Sequence, residues 1–150
     1  MWLFLAHVGA TLMMAGLIWL IQLVHYPLMS QVGPQHFMTY HADHSRLITL
    51  IVGPLMLVEL VGALSLCAAR PAAIPAWMAW AGLACVGVAW LTTAGASVPA
   101  HSLLAAGFDA DAHRTLVQTN WLRTIAWSAH GLLVLAQTAQ LISERPTLGA

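Results

Sequence analysis

Residues 1–28 read MWLFLAHVGATLMMAGLIWLIQLVHYPL, and the first Asp, Glu, Lys or Arg of the chain is Asp43. Crossing the hydrocarbon core of a bilayer takes about 20 apolar residues at the helical rise. This stretch exceeds that length, so it predicts a transmembrane helix. A cleaved secretory signal would carry a basic start and a small-x-small site after its apolar run. Neither is found here, and the helix is expected to be permanent.

The rest of the chain repeats the pattern. A second apolar run follows Arg46 to about residue 69, with Pro54 and Glu59 inside it. A third runs from about 76 to 98, and a fourth from about 114 to 142. The turn at 70–75 is short, and residues 100–113, with Gly107, Asp109 and Asp111, read as a polar loop that includes a short surface helix at most. The expected fold is therefore all-α: one domain over 1–150, an integral membrane antiparallel four-helix bundle with helices at about 2–28, 41–69, 76–98 and 114–142.

Composition supports this. Of the 150 residues 60% are hydrophobic and 7% charged, against roughly 25% charged in a soluble domain. Mean hydropathy is +0.79. Too little charge is present to coat a soluble domain of this size, which excludes an ordinary soluble enzyme and a disordered chain. Five arginines balance five acids and there is no lysine, so no basic patch exists to follow a phosphate backbone, and nucleic acid is not an expected partner. The partners expected are the lipid bilayer and a lipophilic small molecule, with self-association into a homo-oligomer left open. The expected location is a bacterial inner membrane, crossed several times.

Orientation turns on few charges. The N-terminus, the 70–75 turn and the C-terminus share a side with Arg70 and Arg145, and the opposite side has Arg46 and Arg114. With Arg46 and Arg123 held in a site rather than in the headgroups, the first side has the excess and both termini are expected in the cytoplasm.

Polar residues inside an apolar span are costly and face the bundle interior. His7, Thr11, Gln22 and His25 recur at helical steps in the first span, Trp90, Thr93, Ser97 and His101 in the third, and His113, Asn120, Arg123, Trp127 and His130 in the fourth. His41, Asp43, His44 and Arg46 open the second. In an antiparallel bundle His25, His41, His44, His101, Asn120 and Arg123 all arrive at one end.

Eight histidines in so apolar a chain suggest imidazole chemistry. His41 and His44, three apart, share a helix face, and His25 and His101 reach the same level. Such a set suits a first-row transition metal (iron, copper or zinc), with Asp43 as an available carboxylate. Haem on His25 and His101, or on His7 and His130, is the lesser alternative. The competing reading puts these imidazoles at headgroup level, bonded to water and lipid. Asn120 and Arg123 are expected to hold a carbonyl or anionic group. Glu59 lies deep in its span and must be protonated or paired; His130 is the first candidate partner and His7 the second, and the pair is expected to fix helix register or move protons. His36 and His113 read as solvated loop residues. Cys67 and Cys85 read as buried small side chains, and the tryptophans as interface belts and packing, Trp127 excepted.

The strings WLIQLVHYPL (19–28), YHADHSRLITLIVGPLMLVEL (40–60), VPAHSLLAAGFD (98–109) and LVQTNWLRTIAW (116–127) resemble those of small four-helix membrane proteins of bacteria, a group without an assigned reaction. More distantly, size and layout are similar to the anthrone-oxygenase-like membrane proteins. That second likeness implies oxidation of a lipophilic, polycyclic aromatic substrate. Together these readings suggest a membrane oxidoreductase or oxygenase with metal ligands His25, His41, His44 and His101 and with Arg123, Asn120, Glu59 and His130 serving catalysis. The alternative is a non-catalytic subunit or transporter that handles a metal ion, haem or protons.

Overall fold

The computed structural model describes residues 1–144; Arg145, placed above at the C-terminus, lies outside the described residues. Four helices are long and apolar enough to cross a membrane: α1 (Trp2–Met29), α2 (Pro34–Ala68), α3 (Ala76–Leu104) and α4 (Ala110–Ser143). The chain runs up and down, and each helix packs against two neighbours to close a ring α1–α2–α3–α4. Two diagonals, α1 to α3 and α2 to α4, cross the core. Leu50, Leu57, Leu91, Leu132 and Leu135 point outward and are exposed. In water that would be a liability; against lipid tails it is the expected outer surface.

Three boundaries differ from those expected. Helix α2 starts at Pro34 rather than 41, because Gly33-Pro34 supplies an extended N-cap and a proline at the first helical position. Its first turns mix Gln35, His36 and Thr39 with Phe37 and Met38, so they show no sustained apolar run. Helix α3 continues to Leu104 through Pro99, and α4 starts at Ala110, where Asp109 Oδ1 accepts the Ala112 N–H at 2.7 Å. The expected 100–113 loop therefore shrinks to residues 105–109, closed by Gly107 at φ 138°, a backbone conformation that favours glycine.

Two of the helices contain a π turn, at Ile21–His25 in α1 and at Thr93–Ser97 in α3. Each is followed at once by a proline, Pro27 and Pro99. A proline has no N–H to give, and its ring crowds the carbonyl four residues back. Those carbonyls belong to Leu23 and Gly95, inside the two π turns. Widening the helix there relieves the crowding and leaves the helix unbroken. Both π turns lie at the same end of the bundle, one on each end of the α1–α3 diagonal.

The main core cluster includes Met14, Ile18, Phe37, Met56, Leu104, Leu116 and Trp127. A smaller one at the other end holds Leu66, Ile74, Met78 and Ala79. The polar interior described next sits between and beside these.

Candidate histidine site

All four histidines expected to meet do so. His41 Nε2 and His101 Nδ1 are 3.0 Å apart, one imidazole donating to the other. The His44 ring centroid is 5.8 Å from that of His101, and the His25 ring stacks on His44 at 4.1 Å and 25°. Three helices contribute: α1 through His25, α2 through His41 and His44, α3 through His101. The π turns set the azimuth of the α1 and α3 members, since each adds a residue to one turn just before the imidazole emerges. Phe37 stacks on His41 at 5.8 Å, and the Tyr40 hydroxyl lies 3.4 Å from His25 Nδ1.

Among the described residues no three His, Cys, Asp or Glu side chains already stand in metal-binding geometry. The reason is visible in the pairing. A proton bridges His41 and His101, His25 and His44 stack face to face, and His25 Nδ1 is turned to the Tyr40 hydroxyl. Two imidazole nitrogens on one tetrahedral ion, each at about 2.0–2.1 Å, are about 3.3 Å apart. The His41–His101 separation of 3.0 Å is near that, and a shared cation would still require the rings to turn off the N···N line.

Beside the cluster lies a cavity of about 520 Å³. Its walls come from α2 (His41, His44, Ile48, Val52, Met56) and α3 (Trp90, Ser97, His101), and its floor from Ile21 and Tyr26 of α1 and Arg123 of α4. Exposed Thr49 and Ser102 form its rim, so it opens sideways between α2 and α3, toward the lipid-facing surface.

Arg123 is buried, 5% exposed; its Nη1 donates to Ser97 Oγ at 3.1 Å and its guanidinium lies 5.1 Å from the centroid of the Trp127 ring. Beneath it is a second polar layer. Trp127 Nε1 donates to Glu59 Oε2 at 2.8 Å, and His130 Nδ1 is 3.4 Å from Glu59 Oε1. The His7 ring lies 5.1 Å from that of His130, and neither His7 nitrogen has a hydrogen-bond partner. His7 fits only because α2 has Gly62 there: a Cβ at that position would fall inside the imidazole.

Other expected residues sit elsewhere. Asn120 is fully buried, but its amide donates to Gln22 Oε1 at 2.8 Å, and Gln22 Nε2 donates to the Val117 carbonyl. It ties α1 to α4 and is no part of the cavity wall. Asp43 and Arg46 pair with each other at 3.4 Å in the open, 61% and 69% exposed. The carboxylate therefore does not reach the imidazoles, and Arg46 counts with the headgroups, which removes the excess that favoured cytoplasmic termini. His113 is not a solvated loop residue: its Nε2–H donates to the Tyr26 carbonyl at 2.8 Å from within α4. His36 is exposed, as expected, on the first turn of α2. Cys67 and Cys85, expected to be buried, are only partly so.

Tyr26 and Tyr40 belong to the site and were not singled out in the sequence; Trp90, also of the site, was placed on the polar stripe of the third span but read as packing. A usable signal was present in the Tyr26-Pro27 and Val98-Pro99 pairs, each a proline near the polar end of an apolar span.

The fold and site define a four-helix bundle of membrane-crossing type with an imidazole cluster at one end. No family model, no curated protein and no solved structure matches the chain.

Proposed function

We propose that this protein is a metal-dependent oxidoreductase or oxygenase of a bacterial inner membrane, acting on a lipophilic substrate. One observation carries the reading: three imidazoles, His41, His44 and His101, line a cavity that opens toward lipid, and His25 from a third helix stacks behind His44. His25, His41, His44 and His101 are the residues that would hold the metal. Iron or copper bound there supplies one-electron chemistry with dioxygen, and zinc does not. Ile48, Val52 and Met56 receive the apolar body of the substrate from the bilayer. Arg123, positioned by Ser97 and Trp127, faces its oxygen. Glu59 and His130 hold a proton below. Asn120 keeps α1 and α4 in register. This reading would put the chain in the reaction class that its resemblance in size and layout to anthrone-oxygenase-like membrane proteins implies.

The polar layer of His7, Glu59 and His130 favours a second reading, a non-catalytic subunit or transporter handling protons, a metal ion or haem. That layer extends the polar interior beyond the cavity, and Gln137, also buried, extends it further toward the α2–α3 turn, where it bonds the Met78 carbonyl.

Metal analysis of purified protein, loaded under reducing conditions with iron, copper or zinc, tests the first reading. Near-stoichiometric metal is expected in the wild type, and none in the variant combining His41→Ala and His44→Ala. Wild type with no metal above background overturns it. An absorption spectrum of the same sample reports haem.

A further inference from the structure

We infer that the cavity between α2 and α3 binds a lipophilic carboxylate, its head on Arg123 and its carbon body along α2. This deepens the reading above by naming the head group of the ligand, and it rests on the cavity rather than on a metal.

Arg123 is the starting point. A guanidinium has five N–H donors and keeps its charge in proteins. Burial therefore leaves it two ways to be satisfied, acceptor atoms or a counter-ion. The protein gives it neutral partners only, Ser97 Oγ on Nη1 and the neighbouring Tyr26 hydroxyl. Nε is buried without a partner, and none of the hydrogen bonds of the described residues uses Nη2. Arg123 also lines the cavity, so its charge is presented there to a group such as a carboxylate, which pairs with a guanidinium through a charge-assisted bond.

No carboxylate of the protein fills this role. Among the described residues no acidic group lies within ion-pair distance of Arg123. Glu59, buried as well, is turned to the Trp127 indole N–H and to His130. A second donor, Trp90 Nε1, is buried on the same cavity wall, also without an acceptor. A buried cation that lines a cavity and has no counter-ion marks the place of an anionic head group.

Depth selects among anions. The exposed Asp111–Arg114 ion pair marks headgroup level on α4. Arg123 lies nine residues further along, about 14 Å at the helical rise. A phospholipid phosphate would have to sink that far into hydrocarbon. A lipophilic acid has no such anchor. The lateral opening and the Ile48, Val52 and Met56 wall receive its chain, and the volume of about 520 Å³ is in the range of small-molecule sites.

The test uses the full chain in phosphatidylcholine nanodiscs, with EDTA present so that bound metal plays no part. The probes are cis-parinaric acid, a fluorescent fatty acid, and its methyl ester. Saturable binding of the acid is expected, roughly tenfold or more tighter than the ester, because only the acid offers a charge-assisted pair. Arg123→Gln should erase the difference. Should that variant fail to fold by gel filtration, Val52→Trp decides: it fills the cavity, leaves Arg123 intact, and should block the acid while helicity is kept. Equal binding of acid and ester, acid preference surviving in Arg123→Gln, or undiminished acid binding in folded Val52→Trp each overturns the inference. Acid preference alongside a negative metal analysis removes the metal-dependent reading and leaves this one standing.

Discussion

Trp127 on α4 reaches across the diagonal of the bundle to donate its indole N–H to Glu59 on α2 at 2.8 Å, and the face of the same indole carries Arg123. Among the described residues, one aromatic side chain thus stands between the two buried formal charges, bonding the negative one through its edge and the positive one through its face. The indole is a neutral donor at its edge and electron-rich on its face, so both contacts are favourable. It keeps the two layers of the polar interior distinct.

Trp127→Phe should destabilise the protein by about 1–3 kcal/mol, since it leaves a fully buried carboxylate without that donor. Adding Glu59→Gln should recover part of the loss by removing the charge. Denaturant unfolding in detergent measures both. A Trp127→Phe variant as stable as wild type would show that the bond carries no weight.

Gly62→Ala should cost about 1–3 kcal/mol, because the new methyl group meets the His7 imidazole and the core is overpacked. Gly9→Ala and Gly16→Ala, where a Cβ meets nothing within 4 Å, should be neutral or stabilising. Combining Gly62→Ala with His7→Ala should restore stability. Thermal unfolding of the four variants is the measurement, and equal behaviour of Gly62 and Gly16 would refute the close approach.

The histidines should divide by position. His101→Ala and His41→Ala are expected to lower metal content most, because their nitrogens already face each other at 3.0 Å. His36→Ala and His113→Ala should leave it unchanged, the first being exposed and the second bonded to a backbone carbonyl. Loss of metal spread evenly over all four variants would point to nonspecific binding.

Pro99→Ala should let α3 relax to regular α-helix by removing the cause of the Thr93–Ser97 π turn. The rotation of one residue, about 100°, then separates His101 from His41. Circular dichroism should be unchanged while metal loading and parinarate binding fall. Pro54→Ala, within regular helix α2, is the control. Unaltered binding in Pro99→Ala would mean that the π turn does not aim the site.

Much of this was legible in the residues. Apolar length is a local property, and it marked four spans. Helical spacing then put His25, His41, His44, His101 and Arg123 at one end of the bundle, and the depth of Glu59 pointed to His130. The misreadings share a cause. Asp43 shares the 41–46 stretch with two site histidines, but on a helix it falls on another face, where Arg46 is within reach. Asn120 lies three residues before Arg123, yet Gln22 across the α1–α4 seam takes its amide. His113 was read as loop because the Asp109 cap lies inside a stretch that looks polar throughout.

By itself the sequence determined that the chain forms apolar helices of membrane-crossing length and that imidazoles collect at one end of them. Both follow from the 1.5 Å rise and the cost of burying polar groups, which act on each helix alone. Which imidazole touches which, that Trp127 parts Arg123 from Glu59, and that a cavity opens between α2 and α3 were decided only by the tertiary structure. Those depend on the rotation of each helix about its own axis, which the two proline-induced π turns and the packing of neighbouring side chains set together.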